Sequence, residues 1–129
     1  MTGYSIDIER ATEENGYFRR VLHNAEHMQL VVMTLLPRED IGQEMHPHAD
    51  QFIRVEVGHG QAILNGDIHK LEEGSIVIIP AGAEHNVMNT SHDKPMRLYT
   101  IYSPPNHPDG TIHKTKAEAE EYERIQHGH

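Results

Sequence analysis

Residues 74–89 read G-S-I-V-I-I-P-A-G-A-E-H-N-V-M-N. The stretch joins one short apolar strand, Ile76 to Ile79, to a second, His85 to Asn89, through a corner. Pro80 has no N–H to give to a sheet ladder, so it stops the first strand. Gly74 permits a tight turn before that strand, and Pro80 with Gly82 forces a sharp bend after it. His85 then enters the second strand just past the bend. A rigid corner ahead of a histidine is a means of aiming an imidazole.

Working outward, the same β character continues. Gln51 to Val57 alternates, with Gln51, Ile53, Val55 and Val57 on one face and Phe52, Arg54 and Glu56 on the other. Gly58 and Gly60 break it. Gln61 to Leu64 and Ile68 to Leu71 flank the hairpin signal Asn65-Gly66-Asp67. His27 to Leu36 is an apolar run whose Val31, Val32 and Thr34 favour strand over helix. Tyr17 to Leu22 and Met96 to Tyr102 complete the set. Short strands with turns every few residues predict an all-β barrel or sandwich that hides its edges. Thr12 to Asn15 reads as one polar helical turn and Asn106 to Thr115 as a loop. Lys116 to Gln126 is rich in helix formers with a thin apolar stripe, which predicts a short helix on the surface or on a partner subunit.

The chain has 129 residues, a length that predicts a single domain. The barrel core is expected at about 27–103, with a C-terminal loop and helix at 104–129. Hydrophobic residues make up 36% and charged residues 24%, the balance of a globular chain. A net charge of −9 repels phosphate backbones and removes nucleic acid from the expected partners. There is no cysteine, which excludes disulfides, thiolate zinc sites and cysteine nucleophiles. No apolar stretch reaches membrane-spanning length, and Met1 to Arg10 lacks the apolar centre of a signal peptide, so no membrane partner and a cytoplasmic location are expected. Twelve histidines are conspicuous. His107, His113, His127 and His129 read as solvated tail residues, and His59, His69 and His92 as solvated at turns or strand exteriors.

The order Gly74, Pro80, Gly82, His85, Asn89 resembles the second motif of the cupin superfamily, G-x5-P-x-G-x2-H-x3-N, at all five defining positions. The first cupin motif, G-x5-H-x-H-x3,4-E-x6-G, aligns more loosely. Counting back from Gly58, its glutamate slot is Gln51, its second histidine His46, its first histidine Glu44 and its leading glycine Arg38. Fifteen residues separate Gly58 from Gly74, a spacing similar to that of compact bacterial cupins. The resemblance covers roughly 27–103. It implies a double-stranded β-helix (jelly-roll) barrel with one divalent metal ion, here held by Glu44, His46, Gln51 and His85. Zn²⁺ ranks slightly ahead of Mn²⁺, Fe²⁺ and Ni²⁺ for such a mixed N/O set. His46 and His48 also form H-x-H, so His48 is the alternative to Glu44. The resemblance further implies a small-molecule ligand in the barrel and a homodimer joined through Tyr17 to Leu22 and the C-terminal helix.

Plainer readings exist for each residue. A lone His85 is most simply a hydrogen-bonded structural residue, Gln51 a partner of a backbone group, Glu44 a solvated charge and Asn89 a turn cap. Met33, Tyr99 and Tyr102 are either cavity lining or plain core. Three functions follow from the cupin reading: a Lewis-acid metal site acting on a sugar- or uronate-like carbonyl compound, an Fe- or Mn-dependent dioxygenase, and a non-enzymatic binding or sensing module.

Overall fold

Asp7 accepts a hydrogen bond from the Arg10 N–H and caps α1 (Ile8–Glu14), so the first helix begins well before the expected turn at Thr12. The computed structural model describes residues 2–126; His127 and His129, expected to be solvated, lie outside the described residues. The strands are β1 (Arg19–Asn24), β2 (Gln29–Leu35), β3 (Asp50–Val57), β4 (Gly60–Leu64), β5 (Asp67–Leu71), β6 (Ile76–Ile79), β7 (His85–Asn89), β8 (Met96–Ser103) and β9 (Ile112–His113). The closing helix is α2 (Lys116–Gln126). Asn65 and Gly66 adopt φ of +48° and +88°, as the β4–β5 hairpin requires.

Two antiparallel sheets result, one ordered β6-β3-β8-β2-β1-β9 and the other β5-β4-β7. They face each other as a jelly roll. The free edge of β7 takes one more segment, 39–46. Asn89 donates to the Glu39 carbonyl, Ile41 to the Val87 carbonyl, and Glu44 and His85 exchange both backbone hydrogen bonds at 2.8 Å. Gly42, at φ +91°, interrupts this segment, so it runs as two bridges and not as a regular strand. The glycine slot of the first cupin motif is filled by Arg38, which adopts φ +67°. The left-handed turn is kept, at a strain of roughly 1 kcal/mol for a residue with a Cβ.

One expected feature differs and another takes definite form. The loop at 106–115 contains β9, which pairs with β1 through Arg19–His113 and Arg20–Ile112. Two residues carry no readable alternation, and their pairing is long-range. With β2 on its other side, β1 has both edges engaged within the chain. Likewise α2 lies on its own barrel: Ala119 is buried, and Lys116 pairs with Asp40.

The inward residues sort by polarity along the barrel. β3 points Gln51, Ile53 and Val55 inward, and β8 answers with Tyr102, Thr100 and Leu98 in register. β7 points His85, Val87 and Asn89 inward, against Leu64, Ala62 and Gly60 of β4. One end is therefore closed by Val55, Leu98, Val87, Ala62, Leu35 and Met96, all buried in one apolar cluster. Burial of that cluster drives folding. The other end collects Gln51, Thr100, Tyr102 and His85.

Asn89 closes the apolar end. Its amide donates to the carbonyls of Leu35, Leu36 and Lys94, and its oxygen accepts from the Ser91 N–H. Gly60 sits where a Cβ would stand 2.1 Å from the Met88 carbonyl oxygen and 2.9 Å from the Met96 sulfur. Gly60→Ala should therefore cost about 3 kcal/mol or more, because backbone must move. Gly66→Ala meets no atom within 4 Å and should cost only about 1 kcal/mol, for its positive φ. Urea denaturation of the two variants beside wild type checks this order; equal losses would contradict it.

Candidate metal centre

The Glu44–His85 bridge sets two side chains next to each other at the polar end of the barrel. His46 joins them because its carbonyl accepts from the Gly82 N–H at 2.9 Å, tying the segment to the corner ahead of β7. Glu44 Oε1 lies 3.7 Å from His46 Nε2 and 4.0 Å from His85 Nε2. One ligand atom from each of the three residues falls within 4.8 Å of the others. His48 is exposed and stands outside this group. The predicted His59, His69 and His92 are exposed as expected.

The His85 imidazole and the Gln51 amide are held from behind. His85 Nδ1 lies 3.1 Å from the Ala83 carbonyl, so Nδ1 carries the proton and Nε2 presents a lone pair. Gln51, at the start of β3, donates its amide nitrogen to Thr100 Oγ1 at 3.0 Å and to the Tyr102 hydroxyl at 3.2 Å. Its Oε1 is left over. The Tyr102 hydroxyl is in turn 3.3 Å from His107 Nε2, and the Tyr102 ring stands edge-on to His46 at 5.5 Å between centroids.

What the donors lack is a partner in front. Glu44 Oε1, His46 Nε2, Gln51 Oε1 and His85 Nε2 are each buried without a hydrogen-bond partner. An orphaned buried polar atom costs about 1–3 kcal/mol. Three of these residues, Glu44, His46 and His85, stand close enough for a single divalent cation to meet one atom of each, with N and O donors suited to distances of about 2.0–2.2 Å. The residues present fit such an ion.

Electrostatics point the same way. Burial pushes the Glu44 carboxyl up to about 7, with Arg19 pulling it partly back and Glu123 adding to the rise. Burial takes His46 down to about 4, helped by His85 and Arg19 and opposed by Glu123. Burial also lowers His85, against the hydrogen bond to Ala83. The histidines are thus neutral and free to ligate near neutral pH.

A cavity of about 690 Å³ opens beside these residues. Arg19, Glu44, His46, His107, Tyr122 and Glu123 are among its walls. Several of these were not legible as site residues. His107 and His113, expected to be solvated, are not: His113 is 8% exposed, and His107 is driven down to about 3 by burial, then by Arg19, His46 and His113. The reason is Gln29, wholly buried, whose side-chain oxygen accepts from the N–H groups of Asn106 and His107 and whose nitrogen donates to the His107 carbonyl. That clamp folds the tail across the barrel end. Arg19 did leave a signal, because alternation along 17–22 puts it on the same face as the core residue Val21. Tyr102 and Met33 are buried core neighbours, whereas Tyr99 faces outward against Phe52.

Jelly-roll topology with a His/Glu cluster at one barrel end defines a cupin. The chain belongs to that family: the family model described as "Cupin domain" matches residues 31–102. It is 43% identical over 122 residues to the Bacillus subtilis protein YrkC, covering 90% of this chain and 65% of YrkC, so it spans about two thirds of that relative. A protein of Acanthamoeba polyphaga mimivirus is 46% identical over 112 residues, covering 84% of this chain and 70% of the viral one. The crystal structure of a Bacillus halodurans protein shares 40% identity with a TM-score of 0.90, over 93% of this chain and 95% of that one. No helix among the described residues is long and apolar enough to cross a membrane.

The raised Glu44 value has a definite sign. The folded state holds this proton more tightly than the unfolded chain, whose value is near 4.5. Burying the charge therefore destabilises the metal-free protein as pH rises from about 4.5 to about 7, and fully so above that. Glu44→Gln should stabilise the chelator-treated protein by about 1–3 kcal/mol at pH 8 and by nothing near pH 4. Urea denaturation at both pH values is the check. A loss of stability at pH 8 would show that Glu44 supports the fold and not an ion.

Proposed function

We propose that Glu44, His46, Gln51 and His85 hold one divalent cation, Zn²⁺ ahead of Mn²⁺, Fe²⁺ and Ni²⁺, and that the adjoining cavity takes a small polar molecule of sugar or uronate type that carries a carbonyl. The observation behind this reading is the close group of Glu44, His46 and His85, with Gln51 Oε1 a further buried atom without a hydrogen-bond partner. Such an ion, when bound, supplies Lewis acidity toward a carbonyl or hydroxyl oxygen. With Glu44 as the sole anion in the set, a net positive charge remains to stabilise an oxyanion on the ligand.

The protein's own groups do the positioning. Ala83 fixes the His85 tautomer, and Thr100 with Tyr102 turns the Gln51 oxygen outward. Tyr102 is raised well above the usual phenol range by burial, then by Glu44, so it stays protonated and acts as a donor. His107, neutral, accepts from it.

A second reading rests on the composition of the close group. Two histidines and one carboxylate, His46, His85 and Glu44, match the facial triad of non-haem iron oxygenases, with Gln51 standing behind. A third, ligand binding without turnover, needs the same cavity and no reaction.

Elemental analysis of protein purified without chelators tests the ligand set. About one metal per chain is expected in wild type and in His48→Ala, a loss in His85→Ala and a clear reduction in Glu44→Ala. Oxygen uptake by the Fe²⁺-loaded protein would favour the second reading over the first. Metal-free wild type after incubation with Zn²⁺, Mn²⁺ and Fe²⁺ would end the metal reading.

A further inference from the structure

Arg19 is a charged residue in the wrong kind of place for a structural one. It lies on the inner face of β1, across from Met33 of β2 and His113 of β9, and is 4% exposed. Its Nε is buried without a hydrogen-bond partner. Glu44, a carboxylate on the same cavity wall, lies against His46 and His85 and not against Arg19. Its guanidinium carbon stands 5.3 Å from the centre of the Phe18 ring. A guanidinium stacked by its face leaves its edge free, and hydrogen bonds leave that edge in the plane. Buried charges are ordinarily paired, because solvation lost is otherwise not recovered. Among the described residues, Arg19 Nε has no such hydrogen-bond partner.

We propose that Arg19 is the anion-recognition residue of this cavity and takes the carboxylate of a small organic acid in a two-point, side-on hydrogen-bonded contact, while the acid's other oxygen functions face Glu44, His46 and His85. Two features support a carboxylate. The free edge includes Nε and so presents parallel N–H groups, which fit a planar two-oxygen anion. The same cavity holds the guanidinium at one wall and the Glu44–His46 pair at another, so one small molecule can meet both. Phosphate shares the oxyanion chemistry, and the test separates the two. The proposal rests on the metal reading only for the second end of the ligand.

The experiment is isothermal titration calorimetry of Zn²⁺-loaded wild type, Arg19→Met and Arg19→Lys with galacturonate, 2-oxoglutarate, neutral galactose and inorganic phosphate, with metal content measured on each sample. At least one carboxylate should bind wild type, galactose at least tenfold more weakly, and Arg19→Met should lose at least tenfold in carboxylate affinity. Arg19→Lys, which keeps the charge but not the fork, should fall between. Metal content should be the same in all three, which separates a failure here from a failure of the metal site. Ligand-free Arg19→Met should melt at or above the wild-type temperature, because an unpaired buried charge does not stabilise the fold. No carboxylate binding to metal-loaded wild type, phosphate as the only binder, equal affinities in Arg19→Met, or a ligand-free Arg19→Met that melts well below wild type or fails to fold would each overturn the proposal.

Discussion

Two backbone hydrogen bonds between Glu44 and His85 hold the functional end of this molecule together. They draw the irregular segment 39–46 onto the free edge of β7, which would otherwise carry unpaired N–H and C=O groups. The same bridge places a carboxylate beside an imidazole. Edge protection and site assembly are thus one structural event. Gly42 and Arg38, both at positive φ, shape the segment so that it can turn in to that edge.

The barrel then divides its interior between stability and chemistry. Apolar side chains fill one end, and burial there offsets the cost of the polar end. At the polar end, hydrogen bonds run behind the donors and not between them: Ala83 to His85, and Thr100 and Tyr102 to Gln51. His85 and Gln51 are oriented in this way, yet each keeps one atom unsatisfied, as do Glu44 and His46. Buried polar groups are ordinarily paired, so partnerless atoms on Glu44, His46, Gln51 and His85 point to a site built for something that is not protein. The shifted values of Glu44 and His46 express the same burial in another form.

Much of this was readable from residues 74–89 alone. β6, β7 and α2 have the bounds their punctuation suggested, because Gly74, Pro80 and Gly82 act locally. The spacing from Gly58 back to Glu44 brought Glu44, His46 and His85 to one place, since the alternation of a strand and a single turn preserve facing over that distance. What stayed hidden depends on distant partners. β9 exists only because β1 lies beside it. His107 is half-buried because Gln29, far away in sequence, clamps its backbone. Arg19 shares a strand face with Val21 in the sequence, but its place on the cavity wall depends on the pairing of β1 with β2 and β9. α1 escaped because its start is marked by one Asp7 side chain.

The central claim is that the partnerless atoms at the polar end of the barrel are metal ligands. The most direct measurement is X-ray absorption at the zinc edge on protein loaded with one equivalent of Zn²⁺. The account predicts two imidazole nitrogens from His46 and His85, with the remaining shell made of oxygen at about 2.0–2.2 Å. A shell of oxygen alone, or of three or more imidazoles, would contradict it, because the ion would then sit elsewhere on this histidine-rich chain.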